Sequence, residues 1–329
     1  MTKTTILLTI IALVIVSCGS ETKTEVKKSA WADTKWISFE WTGDSLGNRY
    51  FDKIAMFIPV SFKGIPHKFK AQFDLGSNAS VIYGNSFSPY LSAYPEFAKL
   101  LDTVNTEISI EDEKQGELKN VELSLDSFKI TLAMLPYYKS YGNRLPADSV
   151  KSISIKHIGT IGADVVQNKI LIIDYPNKRI AILDSLNSEQ HNKFDFVGCK
   201  MTGGRFIIPL TVNGKIQWYM FDTGASLFPI ITDETNWKSF CDISKPDTIK
   251  IASWGTFYTV FGAKTNKDIY FNKTKLPQTT AYMMTLKDYL EMFKQEKISG
   301  TTGNAYFLNN VIALDFKNAK FGIMTLVDK

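Results

Sequence analysis

The chain has 329 residues, of which 44% are hydrophobic, 22% charged and 13% aromatic, enough apolar residues to build a core and too many for a disordered chain. Its net charge of +5 comes from 38 basic and 33 acidic residues with no dense Lys/Arg run, which argues against nucleic acid as a partner. Three cysteines and three histidines, without Cys-x-x-Cys or His-x-x-x-His spacing, argue against the usual zinc site and a disulfide-stapled scaffold.

In chain order, residues 1–18 come first. Lys3 supplies a positive n-region, and an apolar run covers 6–16. At 1.5 Å per residue such a run spans about half a bilayer core, too short for a transmembrane helix and right for a signal-peptide h-region. It ends in Ile15-Val16-Ser17-Cys18, which resembles a bacterial lipobox. Cys18 is therefore the expected lipidation site, and the expected location is the bacterial cell envelope on a lipid anchor. Residues 19–34 are polar at first and read as a flexible tether. Cys199 and Cys241 remain as an even pair, open to a disulfide or to two separate buried thiols.

The rest reads as strand-rich. Alternation, or β-branched and aromatic content, predicts strands at 54–62, 69–73, 121–125, 170–174, 179–183, 206–212, 217–221, 257–261 and 321–326. Lys63-Gly64 and Asn213-Gly214 are hairpin signals, and Asn-Gly suits a type I′ turn. Helical pattern is scarce; 95–104 and 286–296 are the two candidates.

Self-comparison gives more. Residues 159–182 align with 300–323 without a gap, matching Gly159/Gly300, Thr160/Thr301, Gly162/Gly303, Asn168/Asn309, Asp174/Asp315, Asn177/Asn318 and Ile182/Ile323. Ile58-Pro59-Val60-Ser61-Phe62-Lys63-Gly64 likewise parallels Ile208-Pro209-Leu210-Thr211-Val212-Asn213-Gly214. Each of the latter leads into a strand ending in Phe-Asp-x-Gly: Phe73-Asp74-Leu75-Gly76-Ser77 and Phe221-Asp222-Thr223-Gly224-Ala225-Ser226. The chain is a duplication, with one lobe over 35–195 and a second over 196–329. Asp174 and Asp315, each with Asn three residues on, read as turn formers.

Two Asp-x-Gly loops, each followed by a Gly-rich apolar segment later in its lobe, resemble the aspartic peptidases of the pepsin and retropepsin type. The second loop matches the family's Asp-Thr-Gly motif, and Ile158-Gly159-Thr160-Ile161-Gly162 matches the apolar-Gly element behind it; Ser299-Gly300-Thr301-Thr302-Gly303 matches less well. The resemblance implies an all-β fold of two similar barrel-like lobes around a central cleft. It implies Asp74 and Asp222 as a catalytic dyad, with Gly76, Ser77, Thr223, Gly224, Ala225 and Ser226 as the supporting loops. It further implies a monomeric endopeptidase acting on a peptide or protein, with no metal and no organic cofactor. The Ser77 hydroxyl is expected to reach the outer oxygen of Asp74. Lobe 1 departs from the family at Leu75, where a hydroxyl residue is usual, so one of two cross-lobe bracing bonds is missing. The same departure leaves an alternative, a catalytically impaired relative that binds peptides on the envelope. A third reading is a β-rich lipoprotein whose Asp-Gly pairs are only turns. Candidate cleft covers are the hairpin tips at 111–117 and 253–256, and Tyr137, Tyr138 and Tyr141.

Overall fold

In the first half, β1 (Glu40–Leu46) and β2 (Arg49–Phe62) form a hairpin, and β2 turns at Lys63-Gly64 into β3 (Ile65–Phe73), which stops at Asp74. A loop leads to β4 (Val81–Tyr83), α1 (Gly84–Ala93), the hairpin β5 (Gly116–Leu125) and β6 (Phe128–Tyr138), and then β7 (Lys156–Ile161). The sheet runs β1-β2-β3-β7-β4-β6-β5, and β2 also pairs with β5, so it closes on itself. This computed structural model describes residues 30–110, 112–253 and 256–324, without side chains for 252, 253 and 256. The expected signal peptide, Cys18, most of the tether, and Trp254 and Gly255 of the second hairpin tip lie outside the described residues.

After β8 (Ile170–Asp174), β9 (Arg179–Leu183) and β10 (Phe194–Gly198), the second half repeats the order. It comprises β11 (Arg205–Val212), β12 (Lys215–Phe221), β13 (Ile231–Thr232), α2 (Glu234–Phe240), β14 (Asp247–Ser253), β15 (Thr256–Lys264), β16 (Thr280–Met283), α3 (Lys287–Gln295) and β17 (Gly300–Thr302). The described residues end in β18 (Val311–Asp315) and β19 (Lys320–Met324). The protein is mostly β, and Thr34–Lys329 is one compact unit.

The two halves share one connectivity. β3 lies parallel to β7, β7 antiparallel to β4, and β4 parallel to β6. In the second half β12 lies parallel to β17, β17 antiparallel to β13, and β13 parallel to β16. The repeated glycines have a steric cause. A Cβ on Gly159 would sit 2.1 Å from the Val81 carbonyl oxygen, and one on Gly300 2.1 Å from that of Ile231. Only glycine lets β7 and β17 approach β4 and β13 this closely.

A six-stranded sheet joins the halves: β9-β8-β18-β19-β10, extended beside β9 by the short strand Ile37–Ser38. In the β8–β18 pair Ile172 stands opposite Ala313, its own repeat counterpart. A local twofold axis therefore passes between them. The sequence division at 195/196 falls inside β10, so the halves meet through a common sheet and not through a linker. Asp174 and Asp315 close the turns after β8 and β18, each accepting from the backbone N–H and side-chain amide of the Asn three residues on.

One expectation changes, and one open alternative is decided. The helix read at 95–104 is one turn, Pro95–Ala98, and the main helix of that region is α1, which went unread. Its sequence Gly-Asn-Ser-Phe-Ser-Pro-Tyr-Leu-Ser-Ala is poor in helix formers, and it is held by burial of Phe87, Tyr90 and Leu91 against the lobe. Cys199 and Cys241 are both free thiols. Burial pushes each to about 12, so neither is a thiolate at neutral pH.

Candidate functional site

The two Asp-x-Gly loops meet on the local twofold axis. Each Asp ends a strand and is fixed by its own lobe: the Asp74 N–H donates to the Ile161 carbonyl and the Asp222 N–H to the Thr302 carbonyl, both at 2.9 Å. The two carboxyls lie side by side, each with an oxygen 3.0 Å from the same Gly76 nitrogen. Around them the backbone supplies donors. Gly76 N–H lies 3.0 Å from an oxygen of Asp74 and 3.0 Å from one of Asp222, Ser77 N–H donates to Asp74 at 3.1 Å, and Gly224 N–H donates to Asp222 at 2.7 Å.

Gly76 and Gly224 are glycines for a reciprocal reason. A Cβ on Gly76 would lie 2.5 Å from the Asp222 carboxyl carbon, and one on Gly224 2.4 Å from that of Asp74. Each loop's glycine leaves the space that the opposite carboxylate fills.

Thr223 is fully buried and crosses between the lobes. Its hydroxyl donates to the Phe73 carbonyl at 2.8 Å and accepts from the Leu75 N–H at 2.9 Å. The Leu75 side chain is buried in the main core and has no hydroxyl to return the bond. The bracing is one-sided. Lobe 2's loop is held instead from behind by Asn304, which is fully buried. Its amide donates to the Thr223 carbonyl at 2.9 Å and to the Ser226 hydroxyl at 2.8 Å, and its oxygen accepts from the Tyr175 hydroxyl at 2.5 Å. Ser226 in turn donates to the Thr223 carbonyl. Ala225 lines the cleft and closes the loop through its N–H to the Asp222 carbonyl. Ser77 does not play the expected part: its hydroxyl donates to the Ala79 carbonyl at 2.7 Å, and only its backbone N–H reaches Asp74. The tight turn at 77–79 puts that carbonyl nearer than the carboxylate.

Burial raises the pKa of both carboxyls. Asp74 is raised well above its ordinary value, first by burial, then by the charge of Asp222 and by the hydrogen bond to it. Asp222 is raised by burial and pulled back by hydrogen bonds from Asp74, Gly224 and Gly76. Each carboxyl acts on the titration of the other, so the two titrate as a coupled pair. A stability effect follows. Asp74's folded pKa exceeds its unfolded value, so its contribution is fully present below about pH 4 and is lost as pH rises through the folded pKa. Asp74→Asn removes this loss. The stability of the variant minus that of the wild type is expected to grow between pH 4 and pH 8 in urea unfolding; a constant difference would show that Asp74 is an ordinary exposed carboxylate.

The dyad lies at the floor of a cleft of about 940 Å³. Of the sequence candidates for its cover, Tyr141 lines it, as do Glu113 and Gln115 of the first hairpin tip with the adjoining Ile110, whereas Tyr137 is buried in the lobe. In lobe 2 the β14–β15 hairpin contributes Ile251 and Tyr258. Residues missed by sequence reasoning also line it: Gln72, Tyr83, Thr160, Arg205, Met220 and Met292. Gln72 and Met220 each stand two positions before an Asp, and strand alternation was the signal that finds them. Tyr83 shares a 2.6 Å hydrogen bond with Thr160, and burial pushes its phenol to about 12. Among the described residues no cluster of three or more His, Cys, Asp or Glu is placed to hold a metal ion. No helix among them is long and apolar enough to cross a membrane. No known family model matches the chain, and no curated protein is significantly similar to it.

Proposed function

We propose that the protein is an aspartic endopeptidase with Asp74 and Asp222 as its dyad, built on two acid-protease-type lobes of the pepsin and retropepsin kind. The observation that carries this reading is the pair of adjacent carboxyls that meet at the Gly76 N–H and line one cleft. Two such groups side by side cannot both ionise cheaply, so one keeps a proton. Ionised Asp222 takes a proton from a water held between the carboxyls. Protonated Asp74 donates to the carbonyl oxygen of the scissile peptide as the water oxygen attacks its carbon. The resulting tetrahedral diol collapses as Asp222 passes its proton to the amide nitrogen, the C–N bond breaks to release the amine, and Asp74 takes back a proton from a diol hydroxyl. No metal and no organic cofactor takes part in these steps. Digestion of a peptide library between pH 3 and pH 8 tests the reading: cleavage by the wild type is expected, and none at any pH would leave the second reading.

That second reading, a peptide-binding module, is favoured by one observation, the one-sided bracing at Leu75. A lost buried hydrogen bond costs about 1 kcal/mol, which the fold tolerates. Leu75→Thr is expected to keep cleavage within about tenfold of wild type or to raise it, because the Leu75 N–H already finds the Thr223 hydroxyl. A loss of a hundredfold in kcat would show that lobe 1 is not organised around Asp74 in this way.

The expected substrate is a peptide or protein, with no nucleic acid, and the chain is expected to act as a monomer. Its place is the cell envelope, held by a lipid on Cys18 beyond the tether. Metabolic labelling with a radioactive fatty acid is expected to mark the wild type and not Cys18→Ser; equal labelling of the two would remove the anchor from the account.

A further inference from the structure

The cleft is lined differently on its two sides. Strand alternation points the residue two before each Asp to the same face as the carboxylate. That residue is Gln72 in lobe 1 and Met220 in lobe 2, and both line the cleft. The neighbouring parallel strands place the repeat partners Thr160 and Thr301 beside them, in register Gln72 with Thr160 and Met220 with Thr301. The two positions flanking the dyad are therefore equivalent by the fold and opposite in chemistry.

On the lobe 1 side the surface next to Asp74 is polar. The Gln72 amide is half-buried, faces the cleft and makes no hydrogen bond to the described residues, so two N–H donors and an acceptor are open to a ligand. Beside it, Tyr83 and Thr160 present a hydroxyl pair. On the lobe 2 side, Met220 and Ile231 are buried against the second core with Phe228. The Thr301 hydroxyl is buried and has no hydrogen-bond partner among the described residues. That side offers a thioether, a branched aliphatic chain and a ring edge.

Resting on the dyad's reading as a peptidase, we infer that the enzyme cleaves between a neutral hydrogen-bonding residue and a large apolar one. Gln72 with the Tyr83–Thr160 pair takes an Asn, Gln, Ser or Thr side chain, and Met220 with Phe228 and Ile231 takes a Leu, Met or Phe side chain. An acidic side chain on the lobe 1 side would meet the dyad's own negative charge and the Glu113 carboxylate at the cleft wall. The Gln72 amide itself complements a second amide, donor to acceptor on both sides.

Four octapeptides that differ only in the central pair test this: Gln-Leu, Leu-Gln, Leu-Leu and Gln-Gln. Cleavage is read with the wild type and with Gln72→Leu, and affinity for all four with Asp222→Asn. One of the two mixed peptides is expected to be cleaved about tenfold faster, in kcat/KM, than Leu-Leu. Gln72→Leu is expected to reverse that order, with the affinity order for Asp222→Asn following the wild-type cleavage order. Leu-Leu as the preferred wild-type substrate, or an order unmoved by Gln72→Leu, overturns the assignment of the two sides and leaves the peptidase reading standing. No cleavage of any peptide by the wild type, with the mixed-pair affinity order kept, overturns the peptidase reading and supports the two-sided cleft. No cleavage together with equal affinities overturns both.

Discussion

Asp222→Asn is expected to lower kcat for peptide cleavage by about 10⁴-fold while leaving the fold intact, the upper end of what one positioned acid–base group supplies. The chemical reason is that the variant has no carboxylate to accept the proton of the attacking water. Asn keeps one carbonyl oxygen, which still accepts the N–H groups of Gly76 and Gly224 that now hold Asp222 at 3.0 and 2.7 Å. The loop is therefore expected to stay in place, and a thermal melt near that of wild type accompanies the loss. Asp174→Asn serves as the contrast. Asp174 ties its own turn through Asn177 and pairs with Arg179 on the common sheet. Its replacement is expected to lower stability and to leave kcat of the folded fraction within a fewfold. Equal loss of kcat in both variants would indicate that the assay reads folding and not the dyad.

Gly224→Ala is expected to cost at least about 100-fold in kcat through geometry alone, without touching either carboxylate. Its methyl group would sit 2.4 Å from the Asp74 carboxyl carbon and 2.5 Å from both of its oxygens, well inside van der Waals contact. The Asp74 side chain has to move out, and the shared hydrogen bond with Asp222 lengthens or breaks. A displacement of about 1 Å is enough for a loss of that size. Gly76→Ala makes the mirror-image clash with Asp222 at 2.5 Å and is expected to behave alike. Gly198→Ala, where an added Cβ meets nothing within 4 Å, is the control for a glycine-to-alanine change as such. Wild-type kcat in Gly224→Ala would mean that the carboxylates do not act as a close pair.

The duplication was open to reading because its chemistry is local. Gly159 and Gly300 are glycines for one contact, the close approach of one strand to the carbonyl of the next, and the repeat keeps both. Asp74 and Asp222 sit at strand ends, where a Phe-ended apolar run stops at Asp-x-Gly. What the sequence did not disclose arises from contacts far apart in the chain. The β1–β2 hairpin of the first half packs Leu46 and Phe51 against the second half's core, and Arg49 pairs there with Asp247. No local pattern announces a hairpin that reaches across. The brace from Asn304 to Tyr175 joins residues of the two repeats whose own repeat mates, Ala163 and Phe316, lack the side chains to form it. The Ser77 hydroxyl departs from the expectation because the Ala79 carbonyl, two residues on, accepts its hydrogen bond in place of the carboxylate. Helix α1 was missed because tertiary burial of Phe87 and Tyr90 outweighs a sequence of weak helix formers.

The dependence of kcat/KM on pH for one cleaved peptide tests the shared proton most directly. The free enzyme is competent only with a single proton on the pair, so the rate is expected to form a bell. It falls on the acid side as Asp222 is protonated, and on the alkaline side as Asp74 loses a proton that burial and the neighbouring charge hold well above the ordinary carboxylate value. Asp74→Asn is expected to abolish the activity under both limbs. A profile that rises with pH to a plateau and does not fall again, or an alkaline limb that survives in Asp74→Asn, would contradict the account of Asp74 as the proton-bearing member of the pair.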